Sequence, residues 1–259
     1  MNALDRFSLK NKVIVLTGGT GLYGRGLTAD LASAGAKLVI ASRNAEACQR
    51  VAEEECRAGN DVNAETYDQG EESSIARLRE SVLSRFGRID GLVNNSVAIT
   101  MTSPMGSLAE WEASMRVNAT GLMLMHRIFG EAFCRQNQGS IVNIASIHGM
   151  GGPTLSLYAG TQKPIPQPDY FFHKGGMLNL TRYYAALFGK SGVRVNCLSP
   201  GGFMNQDTEP FLGRYFEKTF LGRLGNKTDL GGPVIFFLSD AAAYLTGVNL
   251  PVDGGYTAH

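Results

Sequence analysis

Tyr170 and Lys174 stand four residues apart in Tyr-Phe-Phe-His-Lys, where the apolar periodicity predicts the start of a helix. Residues i and i+4 share one helix face. An ammonium one turn from a phenol favours phenolate. A free tyrosine titrates at about 10, so a base useful near neutrality needs about 4 kcal/mol of such help. The chemistry implied is proton transfer at an oxygen. Taken alone, such a pair is far more often surface packing.

A second constellation lies near the N-terminus. Thr17-Gly18-Gly19-Thr20-Gly21-Leu22-Tyr23-Gly24 contains G-x-G-x-x-G as Gly19, Gly21 and Gly24. Glycine permits a tight turn and removes the Cβ atoms that would block a pyrophosphate. The following helix presents unpaired N–H groups to that anion. A plain strand-to-helix turn would look the same, but the position between a first strand and a first helix favours the dinucleotide reading. The second strand ends in Ser42-Arg43, 42 − 24 = 18 residues past Gly24. An acidic residue near that spacing would hold a ribose 2′-hydroxyl, whereas a guanidinium suits a 2′-phosphate. NADP(H) is therefore favoured, with NAD(H) possible. Arg43 as an ordinary exposed arginine is the alternative.

These residues need a scaffold, and the chain alternates short apolar runs with helix-period segments. Strands are expected at Lys12 to Leu16, Lys37 to Ala41, Val62 to Tyr67, Gly91 to Asn94, Ser140 to Ala145, Val193 to Leu198 and Gly247 to Val252. Helices are expected at Leu22 to Ser33, Ala45 to Ala58, Ser73 to Phe86, Leu108 to Cys134, Tyr170 to Gly189 and Gly231 to Ser239. Such alternation predicts a doubly wound, Rossmann-type α/β fold: a seven-stranded, mostly parallel sheet with helices on both faces. Residues 1–259 form one domain. Pro153, Pro164, Pro166 and Pro168 make Met150 to Asp169 a long loop, of the kind that is usually functional.

With its strands in place, the chain resembles the short-chain dehydrogenase/reductase family over nearly its whole length. The matching segments are Thr17 to Gly24, Gly91 to Asn95, Val117-Asn118-Ala119, Gly139 to Ser146, Tyr170 to Lys174, Arg194 to Gly201 and Val252 to Gly255. The resemblance implies an enzyme moving a hydride between a nicotinamide dinucleotide and an alcohol or carbonyl. Tyr170 would be the general acid or base. Lys174 would lower its pKa and bind the nicotinamide ribose. Ser146 would hydrogen-bond the substrate oxygen, and Asn118 would hold a relay water. The cofactor would meet Gly18 to Gly24, Ser42, Arg43, Asp68, Asn94, Pro200, Gly201, Phe203 and Asn205, with Tyr170 and Lys174. No metal is implied.

The chain also departs from that pattern. Leu22 stands where the single-domain branch has its second glycine, and the turn reads T-G-x-x-G-x-x-G through Gly18, Gly21 and Gly24. Asn94-Asn95-Ser96-Val97 replaces N-N-A-G. Asn205 replaces a threonine, and His173 replaces a small residue. The interval from Ser146 to Tyr170 is 170 − 146 = 24, longer than usual. Tyr158, at 158 − 146 = 12, is a rival for the reactive tyrosine, but position 162 is Gln and the prolines prevent a helix that would align Lys163.

The inserted loop, 149–169, resembles one in relatives tied to flagellin modification and nonulosonic-sugar pathways, through Leu157 to Thr161. It implies a polar, sugar-like or hydroxy-acid-like substrate; a decorative loop or an oligomer contact is the alternative. Residues 202–224 are expected to form a substrate lid, mixing Phe203, Phe211, Tyr215 and Phe220 with Asn205, Gln206, Arg214 and Arg223. The two arginines are candidates to pair with an acidic substrate. His148, beside Ser146, carries no assigned role.

Composition excludes other classes. Net charge is +1 without a basic stripe, so no nucleic acid or membrane partner is expected. Cys48, Cys56, Cys134 and Cys197 form no C-x-x-C pair and read as reduced thiols. Met1 to Phe7 hold no apolar signal core, and no run approaches the roughly 18 residues of a membrane span. A cytoplasmic homo-oligomer, tetramer or dimer, acting on a small molecule is expected. A 3-oxoacyl-type ketoacyl reductase and a non-catalytic NADP(H)-binding regulator are the competing readings.

Overall fold

Alternate residues of the first strand pack on opposite faces of the sheet, which is why it can be apolar throughout. In the computed structural model, which describes residues 2–205 and 207–259, β1 (Val13–Thr17) sends Ile14 and Leu16 to one core and Val13 and Val15 to the other. Gln206, read above as part of the lid, lies outside the described residues. The remaining strands are β2 (Lys37–Ser42), β3 (Val62–Thr66), β4 (Gly91–Asn94), β5 (Gly139–Ile144), β6 (Val193–Pro200) and β7 (Asn249–Val252). All pair in parallel, in the order β3-β2-β1-β4-β5-β6-β7. This is the doubly wound sheet expected from the sequence.

On one face, α1 (Leu22–Ser33), α2 (Ala45–Arg57) and α8 (Gly231–Leu238) cover Ile14, Leu38, Val142 and Leu198. On the other, α3 (Glu72–Phe86), α5 (Leu122–Gln136) and α6 (Pro168–Phe188) cover Val15, Val39, Leu92 and Val195. Each fully buried Leu, Ile or Phe contributes about 1.5–3 kcal/mol, so the two cores hold the sheet rigid beneath the site.

Two expectations are corrected. The single helix expected from Leu108 to Cys134 is broken. α4 (Leu108–Met115), opened by a Ser107/Glu110 capping box, passes into a π-helical turn, Arg116–Gly121, before α5 begins. Gln69 Nε2 donates to the Val117 carbonyl in that turn at 2.9 Å. π-turns recur at functional sites because they release backbone groups from the regular ladder. The proline-rich loop also ends earlier than expected. Pro168 opens α6, since the first helical turn needs no N–H there. Within 202–224 the sequence reading missed a helix, α7 (Phe211–Lys218).

β1 and β4 are neighbours although their chain connections run in opposite directions along the sheet. That reversal leaves a crevice at the carboxyl ends of the strands, where such folds bind ligands.

Candidate active site

The turn after β1 is shaped by its glycines and locked from β4. Gly18 has φ +67°, and a Cβ on Gly24 would lie 1.9 Å from the Gly18 carbonyl oxygen, so α1 presses directly on the turn. Thr17 Oγ1 accepts the N–H groups of Asn95 and Ser96 at 3.0 and 3.1 Å, and Asn95 Nδ2 donates to the carbonyls of Thr17 and Gly18. Gly21 precedes α1 without a side-chain cap, so the first N–H groups of the helix stay available to an anion.

One cavity of about 870 Å³ runs from this turn to Ser146 and Tyr170. Gly18, Thr20, Gly21, Leu22, Tyr23, Ser42, Arg43, Asp68 and Gly201 of the expected cofactor set line it, and Tyr67, Gln69, Asn95 and Ser96 join them. Arg43 makes no ion pair among the described residues. Asp68 Oδ1 accepts the Gly70 N–H at 2.8 Å, which fixes the loop after β3.

Other expected residues stand behind the wall. Asn94 is 2% exposed and donates through Nδ2 to Asn143 Oδ1 at 2.8 Å, because the last residue of β4 turns into the sheet interior. Gly19 and Gly24 shape the turn from beneath. Pro200 ends β6, and Phe203 packs edge-on against Tyr23 with centroids 4.5 Å apart. Asn205 is exposed. None of these six, nor Asn118 or Lys174, is among the residues lining the cavity.

At the reactive end, Ser146 follows β5 and caps a short 3₁₀ turn, Ile147–Gly149. Its Oγ accepts the His148 N–H at 3.1 Å, which leaves the hydroxyl proton free. Lys174 is 4% exposed and donates through Nζ to the Ile144 carbonyl at 2.6 Å, with Nζ 5.6 Å from the Tyr170 ring centre. Burial pulls the ammonium down to about 8. Burial pushes the Tyr170 phenol up, and the Ser146 hydroxyl draws it part of the way back. The phenol of the free chain is therefore not acidified, contrary to the expectation from the pair's spacing.

Asn118 sits in the π-helical turn. Its Oδ1 accepts the Ala98 N–H at 2.9 Å, and its Nδ2 donates to the Ala98 carbonyl and to Ser114 Oγ. Ser114 donates on to Asp169, the residue before Tyr170. The Asn118 amide thus ties α4 and the loop after β4 to the start of α6. His173, one turn past Asp169, is 4% exposed, and neither ring nitrogen has a hydrogen-bond partner.

Residues 149–169 and 202–224 pack against each other. Leu157 and Tyr158 pack with Phe211, Tyr215 and Leu224. Lys163 pairs with Asp207 and lies 4.2 Å from the Phe211 ring centre. Arg214 donates to the Ser156 and Ala159 carbonyls, and Arg223 pairs with Asp229. Both arginines are thus engaged within the protein, so the candidate role in pairing with an acidic substrate is not seen.

The cavity fits a nicotinamide dinucleotide. It has a tight turn whose conformation side chains at Gly18 and Gly24 would not allow, an uncapped helix N-terminus, and a titratable tyrosine at the far end. Among the described residues no helix is long and apolar enough to cross a membrane.

Comparison with known proteins points the same way. A family model described as enoyl-(acyl carrier protein) reductase matches residues 23–257. A 7α-hydroxysteroid dehydrogenase of Bacteroides fragilis is 30% identical, covering 99% of this chain and 97% of that protein. An NADP-dependent mannitol dehydrogenase of Hypocrea jecorina is 31% identical, covering 98% and 95%. The crystal structure of a gluconate 5-dehydrogenase from Burkholderia cenocepacia, in complex with NADP and tartrate, superposes with a TM-score of 0.88 at 29% identity over all of both chains.

Proposed function

This chain belongs to the short-chain dehydrogenase/reductase family, and from that premise we propose that it transfers a hydride between NADP(H) and a secondary alcohol or its ketone, with Tyr170 as general acid or base. One observation carries the reading: a single cavity joins the glycine turn to Ser146 and Tyr170.

A bound nicotinamide ring supplies or takes the hydride. The chain's own residues supply orientation and the proton. Ser146, already accepting from His148, donates to the substrate oxygen. Tyr170 gives that oxygen a proton in reduction and takes it in oxidation. Lys174 holds positive charge beside the phenol and hydrogen-bonds the ribose. With its amide engaged by Ala98 and Ser114, Asn118 holds the relay water through the backbone of the π-helical turn. Gly18 to Gly24 would hold the pyrophosphate, with Asp68 on the adenine side and Gly201 on the nicotinamide side. Ser42 and Arg43 would hold the 2′-phosphate. The cofactors in the names of the mannitol and gluconate relatives lean towards NADP(H), and those relatives' substrates lean towards a polar, sugar-like one. The exposed Phe172, Tyr183 and Leu187 along α6 support a homo-oligomer.

Absorbance of the reduced nicotinamide during incubation with a panel of polyols and ketoses tests the reading. Turnover with NADP(H) supports it; tight NADPH binding without turnover on any of them favours the non-catalytic regulator. Arg43→Ala is expected to weaken NADPH binding by about 10- to 100-fold, from the loss of charge-assisted hydrogen bonds, and to leave NADH binding nearly unchanged. Equal affinities for NADPH in the variant and the parent would remove Arg43 from the site.

A further inference from the structure

We propose that His148 reads a second oxygen of the substrate, on the carbon next to the reacting one, so that the site selects vicinal diols and the matching α-hydroxyketones. This rests on the hydride-transfer reading above.

His148 is held in register with the reactive centre. Its N–H is bound by Ser146 Oγ, the hydroxyl assigned to the reacting oxygen. The 3₁₀ turn that carries both residues is pressed against α6: a Cβ on Gly149 would meet the Lys174 carbonyl oxygen at 2.6 Å. The imidazole lies on Phe171, centroids 4.7 Å apart, and meets Tyr170 edge-on at 6.1 Å and 73°. The ring is therefore positioned by backbone and side-chain contacts together.

The ring also lines the cavity, and no described residue hydrogen-bonds its nitrogens. His126, by contrast, has both ring nitrogens satisfied within the protein. It is fully buried, its Nδ1 pairs with the Leu122 carbonyl at 2.8 Å, and its Nε2 pairs with Asn143 Nδ2 at 3.0 Å. His148 has the same hydrogen-bonding needs, and it lines the cavity with no described residue meeting them.

Its chemistry points to hydroxyl and carbonyl oxygens rather than anions. Burial pulls its pKa down to about 4, so the ring is neutral near pH 7, with one N–H donor and one lone pair. A hydroxyl complements both. Ile99, Leu157 and Ile165 of the surrounding wall offer no polar atoms from their side chains, and Lys163 is already paired with Asp207. Ser146, Tyr170 and His148 stand together at the reactive end, joined by the Ser146–His148 hydrogen bond and the Tyr170–His148 ring contact, in a lining whose other polar side chains include Thr154, Tyr158 and Gln167. The first two serve one oxygen, and the third is left for its neighbour.

The test compares cyclohexane-1,2-diol with cyclohexanol as substrates of the full chain with NADP⁺. A hydrogen bond to the second hydroxyl is expected to favour the diol by about tenfold or more in kcat/KM. His148→Phe is expected to bring that ratio towards one, and His148→Gln, which keeps a donor and an acceptor, to retain most of it. A ratio that survives His148→Phe, or falls equally in His148→Gln, overturns the proposal. Turnover of cyclohexanol with no preference for the diol overturns this proposal alone. Turnover of neither, with NADPH still bound, overturns both it and the hydride-transfer reading.

Discussion

Replacing Lys174 with methionine is expected to lower kcat by about 10²- to 10⁴-fold while the chain remains folded. The ammonium lies 5.6 Å from the centre of the Tyr170 ring. Two unit charges at such a separation interact by about 3 kcal/mol at an effective dielectric of about 20, equivalent to about a hundredfold in rate. Loss of ribose positioning adds to this, because misplaced reactants forfeit the advantage of a held geometry. Methionine preserves the length of the side chain in a buried position but leaves the Ile144 carbonyl without its donor, at about 1–3 kcal/mol of stability. Circular dichroism and urea unfolding separate that loss from the catalytic one. A folded variant keeping more than about a tenth of parental turnover would contradict the role given to Lys174.

Acid is expected to destabilise the protein steeply between pH 6.5 and 4. Burial holds His126 and His148 down to about 4 and His173 down to about 3, with the Lys174 charge adding to the effect on His173. In the unfolded chain each titrates at about 6.5. Their folded pKa values are depressed, so the unfolded state binds more protons below pH 6.5. Stability is fully present above that value and is lost as pH falls towards the folded values. Three such groups give a slope approaching about 4 kcal/mol per pH unit, and about 4–6 kcal/mol lost by pH 5, comparable to the whole stability of many domains. Urea unfolding at pH 7 and pH 5 measures the difference. A change below about 1 kcal/mol would mean that the three imidazoles are not held neutral in the fold.

The sheet and its seven strands are legible in the sequence because each strand is a short apolar run bounded by turn residues. The observed limits shift by no more than two residues at either end. The glycine turn is equally legible, since its spacing reflects a local steric demand. Tyr170 is separable from Tyr158 because prolines forbid a helix at Lys163, and in the structure that lysine is held by Asp207. The π-helical turn is not legible: its residues carry an ordinary helical pattern, and the contact that marks it comes from Gln69, far away in the chain. The packing of residues 149–169 against 202–224 is hidden for the same reason. Arg214 reaches Ser156 and Ala159 across long sequence separations, where periodicity says nothing. Asn94 misleads because a polar residue at a strand end reads as a ligand contact, whereas here it pairs with Asn143 inside the sheet. The raised phenol pKa is invisible to spacing, which reports that a cation is near but not how dry the site is.

The decisive measurement is stopped-flow hydride transfer from NADPH to a ketone by Tyr170→Phe, with NADPH affinity determined in parallel. The phenylalanine ring keeps the packing and removes only the proton donor. Transfer is expected to slow by about 10²- to 10⁴-fold with NADPH affinity preserved. Transfer at the parental rate in a variant that binds NADPH normally would show that the proton does not come from Tyr170.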